Sequence, residues 1–184
     1  LGGFPSIQDD NYSGGYQLTR YLLSKGHTQI AGIFKSDDVQ GPQRYHGMLT
    51  ALRDAEIPIR DEAVVWFGTR ERSALVGSVG QGKMADFLGN RLEDSTAVVC
   101  YNDEIAYLVI RQLLAAGKRV PEDVAVVSFD NSFYSQIGPV PITSLGHKTS
   151  RTGKAAAAAL LQMLSGSQPD EERLEWELFV RASG

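Results

Sequence analysis

The chain has 184 residues, of which 42% are hydrophobic and 22% charged, with a formal net charge of −4 at pH 7. This length and apolar share allow one substantial domain or two small lobes. The negative charge and the scattered lysines and arginines argue against binding to duplex DNA or to a membrane surface by this stretch alone. No run approaches the roughly 18 apolar residues that span a bilayer. The single cysteine, Cys100, excludes a disulfide framework and suits the reducing cytoplasm.

Helical and strand patterns alternate along the chain. Apolar residues three and four positions apart predict helices, and short apolar runs predict buried strands. In chain order the predictions are helix 12–25 (ended by Gly26), strand 29–34, helix 42–55, strand 63–67, helix 72–89, strand 96–100, helix 103–116, strand 124–129, strand 142–145, helix 150–164 and strand 174–180. Strands alternating with helices of this length specify an α/β fold, with a parallel sheet flanked by helices.

Polar side chains follow the predicted strands directly, where ligands of open parallel sheets bind. They combine carboxylate, amide, guanidinium and aromatic groups, a mixture that suits a neutral ligand rich in hydroxyls. A sugar hydroxyl both donates and accepts hydrogen bonds, and aromatic rings can cover the C–H face of a sugar. The residues concerned are Lys35, Asp37, Asp38, Gln40 and Arg44 after the first strand, then Tyr101, Asn102, Asp130, Asn131 and His147 after later ones.

Each of these residues also has a purely structural interpretation. Asn102 fits the N-cap of the helix that starts at Asp103, whose charge would complement the helix dipole. Asp130 and the asparagine after it resemble a turn dipeptide. Arg44 is equally suited to pairing with a surface carboxylate, and a lone histidine such as His147 is more often solvated or structurally bonded than in contact with a ligand.

One glycine-rich segment resembles a phosphate-binding loop. The stretch 77–83 has the spacing G-x-x-x-x-G-K, but Met84 stands where a serine or threonine would reach magnesium, and no strand directly precedes it. The three histidines lack metal-site spacing, and no nucleophile elbow is present. We therefore expect no cofactor, no metal and no enzymatic activity.

Several short strings occur in one register along nearly the whole chain, from Asp9 to Ser183. The strings are Gly26-His27-Thr28-Gln29-Ile30-Ala31, Gly32-Ile33-Phe34-Lys35, Arg44 with Gly47, Cys100-Tyr101-Asn102-Asp103, Val120-Pro121-Glu122-Asp123, Phe129-Asp130-Asn131, Ile142-Thr143-Ser144, His147 with Gly153-Lys154-Ala155, and Arg181-Ala182-Ser183. In their order and spacing they resemble the sensor domain of the lactose/galactose repressor family, and in particular its arabinose-repressor branch.

This resemblance implies a fold like that of periplasmic sugar-binding proteins, with two lobes joined by three crossovers and a sugar between them. It implies that an arabinose-like sugar is the effector and that its binding releases operator DNA. The implied sugar contacts are Arg44, Asn102 and Asp130 from the second lobe, with His147 at the second return to the first lobe. Gln40 and Tyr101 are weaker candidates, and Glu71 is one only because it follows the second predicted strand.

The resemblance also implies that this chain holds mostly the second lobe. Residues 10–145 and 168–184 would form that lobe, and residues 146–167 would be a helix of the otherwise missing first lobe. Operator DNA would be contacted only through a DNA-binding head that lies outside this chain. The apolar face of the helix, with Leu160, Leu161 and Leu164, should then fold back on the lobe or associate with a second copy, as in a homodimer.

Two other functions stay open on the sequence. A sugar receptor for transport shares the architecture and would carry an export leader in its full gene. A small sugar-processing or nucleotide-using enzyme is favoured only by the incomplete glycine-rich loop.

Overall fold

The computed structural model describes residues 6–72, 75, 84, 86–92, 94–147 and 151–184. Its helices are α1 (Asn11–Ser24), α2 (Gln40–Asp54), α3 (Asp103–Ala115), α4 (Tyr134–Ile137) and α5 (Arg151–Leu164). Its strands are β1 (Ile7–Asp9), β2 (Ile30–Lys35), β3 (Val64–Phe67), β4 (Ala97–Cys100), β5 (Ala125–Phe129), β6 (Thr143–Gly146), β7 (Glu172–Leu174) and β8 (Glu177–Phe179). None of the helices within these ranges is long and apolar enough to cross a lipid bilayer.

Six strands form the main sheet in the order β3-β2-β4-β5-β6-β8. The first five run parallel, and β8 is antiparallel to β6. Every residue of β4 and β5 is buried, because helices cover both faces of the sheet. Leu18 of α1 and Met48 of α2 belong to the core on one face, and Ile105 and Val109 of α3 belong to the core on the other. The prediction of a helix-flanked parallel sheet is confirmed.

The first two helices approach each other at glycines. A Cβ atom at Gly15 would lie 1.9 Å from the backbone oxygen of Arg44, and one at Gly47 would lie 2.0 Å from that of Tyr12. Only a residue without a side chain permits this distance. The close packing fixes the first two turns of α2, which include Arg44, against the start of α1.

The predicted strand 174–180 is wrong as a single element, because it is two strands in two sheets. β7 pairs with β1 in a separate two-stranded sheet, whereas β8 belongs to the main sheet. Trp176 lies between them, with its Nε1 donating to the backbone oxygen of Asp10 at 2.8 Å and its ring packed edge-on against Phe129. The chain bends there to bury the indole. β1 and α4 were not predicted.

Two further regions bear on the predictions. The predicted helix 72–89 lies mostly outside the described residues, as does the glycine-rich stretch 77–83, and its described end is a π-helical turn, Phe87–Arg91. The helix predicted at 150–164 is α5, and it leaves Leu160, Leu161 and Leu164 exposed at 57%, 67% and 76%. Its apolar face therefore does not fold back onto the main sheet.

Candidate functional site: a polar rim at the carboxyl ends of the strands

Polar side chains line the edge of the main sheet at the carboxyl ends of its parallel strands, and this edge is called the rim. Arg44 lies at its centre. It is a charged residue, yet only 1% of its surface is exposed. Its Nε donates to Asn11 Oδ1 at 2.9 Å, and its Nη1 donates to the backbone oxygen of Tyr101. The guanidinium carbon lies 4.1 Å from the ring centre of Phe129 and 5.6 Å from that of Trp176. Burial lowers the pKa of Arg44 from its ordinary value, but arginine keeps its charge in proteins. The site thus contains a fixed, desolvated cation.

Asp130 faces this cation from the end of β5. Its Oδ1 lies 3.7 Å from Arg44 Nη2, and 45% of its side chain is exposed. Asp130 and Asn131 both have positive φ angles, 97° and 46°, so the turn interpretation is correct. Partial burial raises the pKa of the Asp130 carboxyl, and the Arg44 charge opposes this increase. The turn therefore points a carboxylate at the guanidinium without a direct hydrogen bond.

A second carboxylate, Asp103, holds this turn in place through hydrogen bonds. It is fully buried in the first turn of α3. Its Oδ1 accepts hydrogen bonds from the hydroxyls of Ser128 and Ser144, the latter at 2.6 Å, and its Oδ2 accepts from the Ser132 N–H at 2.5 Å. Asp103 thereby connects α3, β5, β6 and the loop after Asp130, a role well beyond the helix-dipole interaction that the sequence indicates.

Tyr101 and Gln40 meet at the next part of the rim. The Tyr101 hydroxyl lies 2.6 Å from Asp38 Oδ2 and 3.0 Å from Gln40 Oε1. Burial and the hydrogen bond to Asp38 raise the pKa of Tyr101, so the phenol keeps its proton. Lys35 Nζ lies 3.3 Å from Asp38 Oδ2 and 3.4 Å from Asp37 Oδ1. The structure therefore brings these rim residues together as a hydrogen-bonded, charge-paired group.

The other predicted contacts lie at the edges of this group. Asn102 Oδ1 accepts from the Ile105 N–H at 3.0 Å and caps α3, which leaves its Nδ2 amino group to offer to a ligand. Glu71 Oε2 accepts from the Gly68 N–H at 3.0 Å, at the end of the turn Thr69–Glu71. Both residues follow a strand, as predicted, and both have a structural role as well.

His147 follows β6 and lies where three segments that link the two sheets meet. The other two are the end of β1 at Asp9 and the link between β7 and β8. His147 Nε2 is 2.8 Å from Asp9 Oδ1, its Nδ1 is 3.0 Å from the backbone oxygen of Glu175, and its ring stacks on Trp176 at 4.3 Å. Both ring nitrogens thus have protein partners. His147 joins the three segments, and its role as a sugar contact stays a prediction.

The sequence analysis missed Asn11, Asp103 and Trp176 as parts of the site. Asn11 and Trp176 contact the Arg44 guanidinium and hold it in place. No local sequence pattern indicates that these three residues meet. Asp103 had a possible signal, an aspartate directly after Asn102, but the same pair is typical of any capped helix.

A cavity of about 670 Å³ lies at the edge of the main sheet opposite the rim. Leu88, Leu92 and Leu113 line much of it. It adjoins the amino ends of β2, β4 and β5, far from the rim. Among the described residues, no group of three or more histidines, cysteines, aspartates or glutamates has the geometry to hold a metal. The rim offers hydrogen-bonding groups and aromatic faces.

Comparison with known proteins agrees with this geometry. The profile of the periplasmic binding protein-like domain matches residues 19–183. The arabinose metabolism transcriptional repressor of Geobacillus stearothermophilus is 34% identical over 168 residues, which are 91% of this chain and 45% of the repressor. The HTH-type transcriptional regulator CelR of Thermobifida fusca is 35% identical over 181 residues, which are 97% of this chain and 51% of CelR. A solved CelR–cellobiose complex superposes with a TM-score of 0.85 at 33% identity, over 98% of this chain and 54% of CelR.

A parallel α/β sheet with a polar rim at its carboxyl edge is typical of proteins that bind small molecules at that edge. More specifically, the chain belongs to the periplasmic binding protein-like domain family, in the branch found in transcription regulators of the lactose/galactose repressor type. These relatives are regulators and not enzymes by name. The chain spans about half the length of the curated relatives that it matches.

Proposed function

We propose that this chain is most of the second lobe of the effector-binding domain of a cytoplasmic transcription repressor. Residues 10–145 and 168–184 form that lobe, and residues 146–167 belong to the first lobe. The exposed apolar face of α5 supports the assignment of residues 146–167 to the first lobe. β7, within 168–184, pairs with β1 in a separate sheet and not with the strands of the second lobe.

The ligand of the proposed site is a sugar. Arg44, Asn102 and Asp130 are its main polar contacts, with Gln40, Tyr101, His147 and Glu71 at the periphery. The observation that carries the proposal is the gap of 3.7 Å between Arg44 Nη2 and Asp130 Oδ1. This distance exceeds that of a hydrogen bond, so the cation keeps a free donor and the carboxylate a free acceptor. One sugar hydroxyl satisfies both groups.

L-Arabinose is the first effector to test, because two arabinose metabolism repressors are 34% and 32% identical to this chain. The cellobiose complex of CelR supports the broader class of sugars. In the complete protein, binding shifts a homodimer between two states that differ in effector affinity, and operator DNA is released through a separate head. No bond is made or broken.

A ligand-observed NMR titration of pentoses and hexoses tests the sugar site. We expect saturable binding, weaker than that of a complete two-lobed sensor because half of the cleft is absent, and its loss in Asp130→Ala. Asp123→Ala is the matched control, since Asp123 precedes β5 at the opposite edge of the sheet and pairs with Arg119 at 2.6 Å. Equal affinity for sugar in wild type and Asp130→Ala would refute the site.

The coding sequence upstream of this chain tests the regulatory role. A DNA-binding head supports repression, whereas an export leader would instead favour a transport receptor with the same architecture.

A further inference from the structure

The cavity of about 670 Å³ at the amino ends of the strands is separate from the rim. Gln29, Thr96 and Val124 line it, and each directly precedes a strand, β2, β4 or β5. The last turn of α3 forms another wall. Because α3 has 13 residues and a helix rises about 1.5 Å per residue, this wall lies roughly 20 Å from Asn102 at the other end of the helix. A molecule in the cavity would therefore not touch the proposed sugar site.

The size and the apolar lining of this cavity fit a small molecule. Leu88, Leu92 and Leu113 line it together with two alanines, Ala115 and Ala116, at the end of α3. Its volume falls within the roughly 300–1,000 Å³ of known ligand pockets, which are mainly apolar and contain a few polar groups. Moving an apolar molecular body from water to these side chains is favourable in proportion to the area buried.

One buried hydroxyl indicates that the ligand forms a hydrogen bond. Ser95 lines the cavity and is only 4% exposed. Its Oγ has no hydrogen-bond partner within the part of the chain that the structure describes. Buried polar groups in proteins nearly always have a partner, because leaving one without a hydrogen bond is unfavourable. A hydroxyl or carbonyl group of a ligand would supply that partner.

The charged residues at the cavity favour a neutral ligand. Asp94 Oδ2 lies 3.5 Å from Arg60 Nη2. Asp123 Oδ1 lies 2.6 Å from Arg119 Nη2, and hydrogen bonds from Arg119 lower the pKa of Asp123 to about 2, with a smaller contribution from the charge of Lys118. Both carboxylates thus have cationic partners, and Lys118 is exposed to solvent. An ionised ligand group among the leucines, with one hydroxyl as its partner, would lose its hydration at high cost.

We propose that this cavity is a second ligand site, which binds a neutral molecule with an apolar body and one hydroxyl or carbonyl group that is hydrogen-bonded to Ser95. The inference is independent of the proposed sugar-binding function, because the two sites lie at opposite edges of the sheet. A sugar at the rim and a ligand in this cavity do not compete.

Three probes with the same carbon skeleton test the class of ligand. They are para-propylphenol, propylbenzene and para-propylbenzoate, each titrated into this chain and followed by ligand-observed NMR. We expect saturable binding of the phenol and at least about tenfold weaker binding of the benzoate. Ser95→Ala should weaken the phenol about fivefold, the usual effect of one hydrogen bond, and should leave the affinity for propylbenzene unchanged. If Ser95→Ala affects neither probe, or if the benzoate binds more tightly than the phenol, the proposed ligand class is wrong.

A second measurement tests the location. Ala115→Trp places an indole in the cavity and should abolish phenol binding, whereas Leu114→Trp, on the adjacent exposed residue outside the cavity lining, should not. Intermolecular NOEs from the phenol to the methyl groups of Leu88 and Leu113 give the same information without a substitution, so the result does not depend on how well the tryptophan variants fold. No saturable binding, or NOEs only to leucines elsewhere, would overturn the site.

Discussion

The buried carboxylate of Asp103 gives the sharpest test of how the rim is supported. The perturbation is Asp103→Ala, compared with Glu104→Ala in the same first turn of α3. Both acidic residues interact with the helix dipole, which contributes about 0.3–1 kcal/mol each. They differ in burial, because Asp103 is fully buried whereas 23% of the Glu104 side chain is exposed.

The structure sets the expected magnitude. Asp103 accepts hydrogen bonds from Ser128, Ser144 and the Ser132 N–H, and bonds to a charged group contribute about 1.5–3 kcal/mol each. The Ser144 hydroxyl also lies 3.3 Å from the backbone oxygen of Leu145 and can turn to it, so the losses do not simply add. We expect Asp103→Ala to reduce the free energy of unfolding by about 3–5 kcal/mol. Glu104→Ala should cost about 1 kcal/mol or less.

Urea unfolding followed by tryptophan fluorescence measures both values through linear extrapolation. For a domain of this size the Asp103→Ala loss corresponds to a decrease in Tm of roughly 6–20 °C. If the two variants differ in unfolding free energy by less than about 0.5 kcal/mol, within the usual effect of a surface substitution, the carboxylate acts only on the helix dipole. The description of Asp103 as a structural connection would then be wrong.

Three further predictions concern the rim, the helix contact and the exposed helix. Arg44→Met should raise the pKa of Asp130 further above its ordinary value, because the opposing charge is lost; a carboxyl ¹³C NMR titration showing a decrease would contradict the pairing. Gly47→Ala should destabilise the chain by about 1–3 kcal/mol, since its Cβ would lie 2.0 Å from a backbone oxygen. Gly153→Ala in α5 meets nothing within 4 Å and should stabilise the helix by up to about 1 kcal/mol, so equal thermal shifts would argue against a close contact. Leu164→Glu should reduce self-association measured by light scattering; a wild-type chain that is monomeric at high concentration would exclude association through α5.

Much of the architecture follows from local patterns. Runs such as the one around Val98 contain only small and β-branched apolar residues, which predicts a strand buried on both faces. Helix ends are marked by residues whose effect is short-range, such as Asn102 as a cap and Gly26 with its φ of 91°. These signals depend on neighbours in the chain, so the predicted bounds agree with the structure to within about two residues, apart from 174–180, which is two strands, and 72–89, which lies mostly outside the described residues.

The candidate site was only partly predictable. Most polar residues after the predicted strands were identified, because parallel strands bring their carboxyl ends to one edge, but Asn11, after the unpredicted β1, and Asp103 were not. The contact between the Tyr101 and Phe67 rings was not predicted, since it joins the loop after β4 to the end of β3. The division of 174–180 into two strands was missed for a similar reason, because the partner of Trp176 is Asp10, near the other end of the chain.

The sequence by itself therefore determined the α/β class, the order of the elements and the polar character of the rim, since these depend on periodicity and on residues a few positions apart. Only the tertiary structure decided which polar residue is buried and which faces solvent. A charged side chain is exposed by default, and nothing near Arg44 or Asp103 in the chain indicates otherwise. Their burial requires distant partners that replace water, and those partners meet only when the sheet and its helices have packed.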